Sequence, residues 1–356
     1  MKIGRIGSYP TTNYQTVGKY MFELCKDESF ESYVFAPRLS GDPLGSNGLR
    51  TAAFYKPWNR RDFSNFLPLK IILNSLWIIY MTVIQLKAIL YFANKKISIL
   101  HLHSQMYTLV ALWAWVARKK VFITFHGEDI NNLRSSIILQ KLLFPYNKIL
   151  TIAPNMIGQI DKFFDGEIIY TPNGVDRDIF RDQHLRREKK IFCVASFKAV
   201  KRHKCLIDGF AEFLKTSRGR SYKLILAGEG PLEKAAMAQV ENLNISGQVE
   251  FLGNVISEET VEYYNTCELL VLLSEREGFP KVILEGLACG IKIAATKVGA
   301  VPEVLGEEFE NYFNTVDPED IEKTISNALK SKNKLRLSPD YTWDKLRENI
   351  SNLYES

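Results

Sequence analysis

The sequence predicts an α/β protein of two doubly wound lobes, and three observations carry that expectation. Short apolar runs rich in β-branched residues alternate with longer helix-like stretches, the pattern of a parallel sheet with crossover helices. The alternation occurs twice along the chain. The chain has 356 residues, 46% hydrophobic and 24% charged, an ordinary globular composition with room for two domains of roughly 100–200 residues each. Disordered, fibrous and low-complexity classes are thereby excluded.

In chain order, the first-half strands are expected at Lys2–Ile6, Ser32–Ala36, Ile97–His101, Val121–Phe125, Lys148–Ile152 and Ile168–Tyr170. Those of the second half are expected at Lys190–Val194, Lys223–Ala227, Val249–Leu252, Leu269–Leu273 and Ile291–Ala294. Between them TPNGVDRDIFRDQHLRREKK carries a Pro, an Asn-Gly turn and a charged run, the composition of a linker. The boundary is placed near residue 185: domain one is 1–185 and domain two is 186–338. At 339–356 a Pro-containing loop precedes Trp343, Leu346, Ile350 and Leu353, the spacing of a closing amphipathic helix.

Residues 1–180 carry 21 Lys and Arg against 13 Asp and Glu, and 181–356 carry 25 against 27. The first half is therefore at +8 and the second at −2, which suits an anionic partner for the first half, either a membrane surface or nucleic acid, or an unevenly charged solvated surface. Five scattered cysteines without a CxxC pair indicate neither a disulfide framework nor a thiolate zinc site. With no secretory pattern at MKIGRIGSYP, a cytoplasmic location is expected.

Phe66–Ala93 is apolar on nearly every face but is interrupted by Lys70, Asn74, Gln85 and Lys87. A membrane span needs about 20 apolar residues in a row, and the clean stretch from Ser75 to Ile84 is far shorter. Two readings stay open: a helix buried against its sheet, or one dipping its Trp77–Tyr80 side into a bilayer interface. In the second, Arg50, Lys56, Arg60, Arg61, Lys95 and Lys96 would meet anionic headgroups, each worth about 1 kcal/mol.

Ligands of open α/β sheets bind beyond the strands' carboxyl ends, where helix N-termini offer N–H groups to phosphates. After the first strand come Gly7 and Gly18 without a GxGxxG, which counts against a dinucleotide site. His126, Gly127, Glu128 and Asp129 follow the strand ending at Phe125, and His101 and His103 end the preceding one. Each histidine is either a ligand contact or a hydrogen-bonded structural residue. In the second half Lys198, Lys201, Arg202 and Lys204 form a cationic turn, suited to a diphosphate or simply solvated. Gly228 and Gly230 follow the next strand and would let the backbone approach a base or ribose. The strongest constellation is SEREGFPKVILEGLACG. Glu277 in a turn and Glu285 on the following helix are eight apart and can serve one cleft. Gly278, Phe279 and Pro280 set N–H groups near a helix start, suited to anionic or polyhydroxylated ligands.

EGFPKVILEGLACG, followed by ATKVGAVPEVL, resembles the Glu-x7-Glu signature of the retaining nucleotide-sugar glycosyltransferases of family 4, the glycogen-synthase-like group. HLHS, TFHGED, TPNGVD, the Lys201 loop, LILAGEGP and FLGNV resemble the same group in order along nearly the whole chain. The resemblance implies a GT-B fold: two Rossmann-like domains facing each other across a cleft, the first for acceptor and the second for donor, with the C-terminal helix returning to the first. It implies Glu277 at the donor sugar and reacting centre, Glu285 on the ribose, and Lys201 on the diphosphate. His126 is implied at the donor sugar and Gly18 in the loop that closes over the phosphates. Arg202, Ser196, Gly228, Gly230, Gly278, Phe279 and Pro280 join the donor-side set, with Asp129 and His103 on the acceptor side. Where many members carry a Gly-Arg pair this chain has Ala195-Ser196, which removes a planar bidentate phosphate contact.

The activity so implied is transfer of a sugar from a nucleoside-diphosphate sugar to a glycan, lipid-linked, in cell-surface polysaccharide assembly at the inner membrane face. No nucleic acid is expected as partner. No metal or cofactor is expected beside the nucleotide-sugar co-substrate, and Asp176-Arg177-Asp178 is read as a hinge turn. Two rivals stand: a dehydrogenase, which would need the missing GxGxxG, and a non-catalytic nucleotide-sugar or glycan binding module on the same fold.

Overall fold

The computed structural model describes residues 1–7, 17–38, 50–55, 67–255, 257–333 and 335–356. The chain divides into two compact units, Met1–Thr171 with Arg347–Ser356, and Pro172–Leu346. The strands of the first are β1 (Lys2–Ile6), β2 (Glu31–Arg38), β3 (Arg50–Tyr55), β4 (Ile99–Leu102), β5 (Lys120–Phe125), β6 (Lys148–Thr151) and β7 (Glu167–Tyr170). Those of the second are β8 (Glu188–Val194), β9 (Lys223–Ala227), β10 (Val249–Gly253), β11 (Cys267–Leu272), β12 (Lys292–Thr296) and β13 (Tyr312–Phe313).

All pairings are parallel, in the orders β3-β2-β1-β4-β5-β6-β7 and β10-β9-β8-β11-β12-β13. Strands covered on both faces read as unbroken apolar runs, which is why the central ones were visible in the sequence. β3 and β13 were not. Among the described residues RTAAFY pairs with β2 alone and the two residues of β13 with β12 alone, so neither edge strand needs a two-sided apolar signature.

The crossovers of the first unit are α1 (Val17–Cys25), α2 (Leu67–Lys95), α3 (Thr108–Val116), α4 (Gly127–Ser135), α5 (Ile137–Lys141) and α6 (Ile157–Ile160). The second has α7 (His203–Lys215), α8 (Glu233–Asn242), α9 (Ser257–Thr266), α10 (Lys281–Ala288), α11 (Val301–Leu305) and α12 (Pro318–Lys330). α13 (Trp343–Glu355) closes the chain. Its inward face is Trp343, Leu346, Ile350 and Tyr354; Leu353 is only half buried, so the fourth inward residue is Tyr354. One position of difference matters, because Tyr354 brings a hydroxyl into the first unit's core.

α2 resolves the two readings of the apolar segment into one helix with two faces. Met81, Ile84, Ala88 and Phe92 are buried, whereas Ile78, Ile79, Leu86 and Leu90 are 53–66% exposed. Among the described residues one helical stretch is long and apolar enough to cross a membrane, Ser75–Lys95, with mean hydropathy 1.7. The five cysteines are free, and Cys25, Cys193, Cys267 and Cys289 are buried.

Candidate active site

Each sheet reverses its strand order once, between β1 and β4 and between β8 and β11. Loops leaving neighbouring strands there diverge and open a crevice, the place where doubly wound sheets bind ligands. In the second unit the two diverging loops are 195–202, after β8, and 274–280, after β11. Their contents are the cationic turn and the glutamate-glycine turn.

These loops are joined twice. The Glu275 N–H donates to the Val200 carbonyl at 2.8 Å, and Lys201 Nζ meets Glu277 Oε1 at 2.5 Å. Both side chains keep some exposure, 21% for Lys201 and 12% for Glu277, so the pair is reachable from solvent yet held. Arg202 lies farther out, its guanidinium 4.0 Å from Glu275, on a left-handed backbone (φ 53) before α7. A fork in that position steers an anion weakly rather than clamping it.

The carboxylate loop is anchored from below. Thr296 Oγ1 donates to the Ser274 carbonyl at 2.6 Å, and the Ala300 N–H donates to the Gly278 carbonyl at 3.3 Å. Gly299 has φ +58, and a Cβ there would lie 1.9 Å from the Glu277 carbonyl oxygen. Only glycine fits. Phe279 is buried with its ring 5.9 Å from that of Tyr341, and Pro280 precedes the first turn of α10. Glu285, on α10, accepts from the Tyr264 hydroxyl at 2.8 Å. Gly299, Thr296 and Tyr264 were not singled out from the sequence. Gly299 lay inside the quoted ATKVGAVPEVL, while Tyr264, in an ordinary helical stretch, gave no signal.

Gly228 and Gly230 have a local reason. Gly228 has φ +133, and Cβ atoms on the two would lie 2.2 Å from the Ala195 carbonyl oxygen and 2.6 Å from that of Phe197. The β8 and β9 exits run side by side, with Ala195 N–H donating to Ala227 O at 2.9 Å and Phe197 N–H to Glu229 O at 3.0 Å. These glycines let one loop lie against the other. Ser196, half buried, accepts from the Lys198 N–H at 2.7 Å through its carbonyl. His203 stacks on Phe197 at 4.0 Å, and burial, with Lys201 nearby, lowers its pKa to about 4.

After β4 and β5 of the first unit no such ion pair stands among the described residues. His101, His103 and His126 are all buried, on β4, just after it, and just after β5. His101 stacks on His103 at 4.4 Å, and Tyr20 stands edge-on to both His103 and His126, at 5.9 and 5.5 Å. His101 Nδ1 contacts the Tyr354 hydroxyl at 2.5 Å and its Nε2 the Thr124 hydroxyl at 2.8 Å. Neither ring nitrogen of His103 has a hydrogen-bond partner among the described residues. Burial and neighbouring positive charge hold both His101 and His103 well below the ordinary histidine pKa. Asp129 Oδ2 accepts from the His126 backbone N–H at 2.8 Å, so the carboxylate fixes the turn on which His126 sits. Gly18 lies in the first turn of α1. The turn Ser8–Pro10 and Lys56, Arg60 and Arg61 lie outside the described residues.

No group of three or more His, Cys, Asp or Glu stands together as metal ligands would, among the described residues. At Asp176-Arg177-Asp178 the Asp176 carboxylate accepts from the Asp178 N–H at 3.1 Å, a local turn.

Two open parallel sheets, each with its ligand loops at a single strand-order reversal, define the GT-B class. The fold is shared over the whole chain with HepE of Anabaena, solved with UDP and glucose (TM-score 0.72, 16% identity, 100% of both chains covered). It is shared too with a sucrose-phosphate synthase from Thermosynechococcus elongatus (TM-score 0.66, 17% identity, covering 99% of this chain and 98% of that one). Residues 176–342 match the family described as glycosyl transferases group 1. Two relatives illustrate the family. N-acetyl-alpha-D-glucosaminyl L-malate synthase of Bacillus anthracis is 28% identical over 237 residues, 60% of each protein. A 4-alpha-N-acetylgalactosaminyltransferase of Campylobacter jejuni, named for a diphospho-undecaprenol-linked substrate, is 30% identical over 211 residues, 55% of this chain and 54% of that one. The match thus spans little more than half the length of these relatives.

Proposed function

We propose that the protein transfers a sugar from a nucleoside-diphosphate sugar to a hydroxyl of a lipid-linked glycan, with retention at the anomeric carbon, in cell-surface polysaccharide assembly at the cytoplasmic face of a membrane. The observation that carries this reading is the Lys201–Glu277 pair at the strand-order reversal of the second sheet. The leaving group is a diphosphate, so the transition state gains negative charge there. A cation held in place by a carboxylate needs little reorganisation to receive it.

In this reading the second unit holds the donor and the first the acceptor. Lys201 meets the diphosphate, with Arg202, Ser196 and the backbone of Gly228 and Gly230 beside it. Glu277 then turns to the sugar hydroxyls and favours oxocarbenium character at the anomeric carbon. Gly278, Phe279 and Pro280 present the start of α10, and Glu285, oriented by Tyr264, takes the ribose. His126 of the first unit is assigned to the donor sugar, Gly18 to the phosphate side, and Asp129 and His103 to the acceptor side. The bond from the anomeric carbon to the phosphate oxygen breaks and one to the acceptor oxygen forms. The acceptor proton passes to the departing diphosphate, so no protein nucleophile is required, and no metal is assigned.

The UDP and glucose bound by HepE and the lipid-linked substrate named for the Campylobacter relative support the donor and acceptor classes. The test is nucleotide release from UDP-, GDP-, ADP- and TDP-sugars, with and without EDTA and a bacterial lipid extract, followed by NMR of the product's anomeric configuration. Release from one donor, stimulated by lipid and unaffected by EDTA, with a retained configuration, is expected. Binding without turnover on every donor would instead favour the non-catalytic module, with Ser196 in place of an arginine as its cause.

A further inference from the structure

The first unit carries a surface that the transfer reaction does not use. On α2 the outward side chains Leu76, Ile79, Val83, Leu86 and Leu90 recur at three- and four-residue spacing and are 44–66% exposed. A crossover helix ordinarily turns polar residues outward. α3 packs against α2, with the Leu109 N–H donating to Gln85 Oε1 at 2.9 Å, and it carries the apolar surface onward. Trp115 is 50% exposed and Val116 72%. The Trp115 ring meets Phe144 edge-on at 5.2 Å, and Ile137 and Ile138 of α5, which ends three residues before Phe144, are 69% and 71% exposed.

Charge specifies what covers this face. From Phe63 to Gly127 the sequence has no Asp or Glu, against seven Lys and Arg. Of these, Lys87, Lys96, Arg118 and Lys120 are exposed, as are Arg134 and Lys141 beside the α5 patch. A second copy of the chain would bring like charges together across a two-fold interface. An anionic sheet accepts the apolar residues and the cations at once. α2 does not need to cross that sheet, because its other face is committed to the core, with the Phe92 ring against Gly4 of β1.

We propose that the outer face of α2, α3 and α5 docks on an anionic phospholipid bilayer, with the aliphatic residues and Trp115 in the interfacial layer and the lysines and arginines at the phosphates. The inference deepens the lipid-linked acceptor reading and rests on it only for its purpose, since the surface is there whatever the chemistry.

The test is flotation of the full-length chain with vesicles of phosphatidylcholine alone and of phosphatidylcholine with phosphatidylglycerol. Binding to the anionic vesicles, weakened by salt, is expected. Ile79→Ser with Leu86→Ser, and separately Trp115→Ala with Ile138→Ser, should each lower it about tenfold or more. These side chains are already solvent-exposed, so circular dichroism and the melting temperature should match the parent. No vesicle binding, equal binding to both vesicle types, or unaltered binding of both variants would overturn the proposal. So would a dimer that the same substitutions dissolve. Donor-nucleotide release without lipid separates the two readings. Turnover without vesicle binding removes the docking face and leaves the transferase. Vesicle binding without turnover does the reverse.

Discussion

The two units share a topology and fill its ligand-side loops with opposite chemistry. After β8 and β11 the second unit places a cation and a carboxylate in contact, with solvent access. On β4 and just after β4 and β5 the first unit places three histidines, with Tyr20 of α1 edge-on to two of them, in a buried group whose partners are hydroxyls and rings. A shared topology therefore supplies ligand-side loops and no chemistry; the side chains that enter the loops decide it. The charged pair keeps some contact with water, whereas His101 and His103 are packed away, their pKa values lowered by burial.

The comparison breaks most sharply at Glu277. Glu277→Ala should lower sugar transfer by about 10²–10⁴ with the melting temperature nearly unchanged, because the residue sits at a partly exposed loop. Parent-level turnover in a folded variant would move the site elsewhere. Lys201→Ala should cost about 10²–10³ in turnover and also weaken nucleotide binding, measured by calorimetry. If Lys201 only holds Glu277, nucleotide affinity will not change.

Gly299→Ala tests the support beneath the charged loop. A Cβ 1.9 Å from the Glu277 carbonyl oxygen on a left-handed backbone should cost about 1–3 kcal/mol in denaturant unfolding and lower turnover through a displaced Glu277. Full stability and activity together would show the loop to be looser than its hydrogen bonds indicate.

In the first unit, Tyr354→Phe removes the hydroxyl partner of a buried imidazole and should cost about 1–3 kcal/mol. It is expected to act on stability more than on nucleotide binding. Acid is the gentlest probe. His101, His103 and His203 are held neutral by burial, while the unfolded chain protonates its histidines below about pH 6.5. The unfolded state then binds more protons, so stability falls as pH drops below about 6.5, and the share from His203 levels off near pH 4. A melting temperature flat from about pH 7 to pH 4.5 would contradict this. His203→Phe should remove part of the slope and leave that of the first unit.

Much of this was legible in the sequence. Central parallel strands announce themselves because both faces are apolar, and Glu277, Lys201 and His126 sit at strand ends, where a linear reading already looks. What escaped it was either one-sided, like β3, or remote. Nothing in the α9 stretch says that Tyr264 will hold Glu285 twenty-one residues on. The glycines of AGEGP read as an opening for a ligand, yet their immediate cause is the neighbouring 195–197 backbone.

The sequence by itself determined the two α/β halves, the order of the ligand loops and the identities of the charged residues in them, because burial period and turn chemistry are local properties of the chain. Only the tertiary structure decided that Lys201 pairs with Glu277, that Tyr354 rather than Leu353 enters the core beside His101, and that α2 turns one apolar face inward and the other out. Each of those depends on contacts between segments tens to hundreds of residues apart, whose geometry no local pattern encodes.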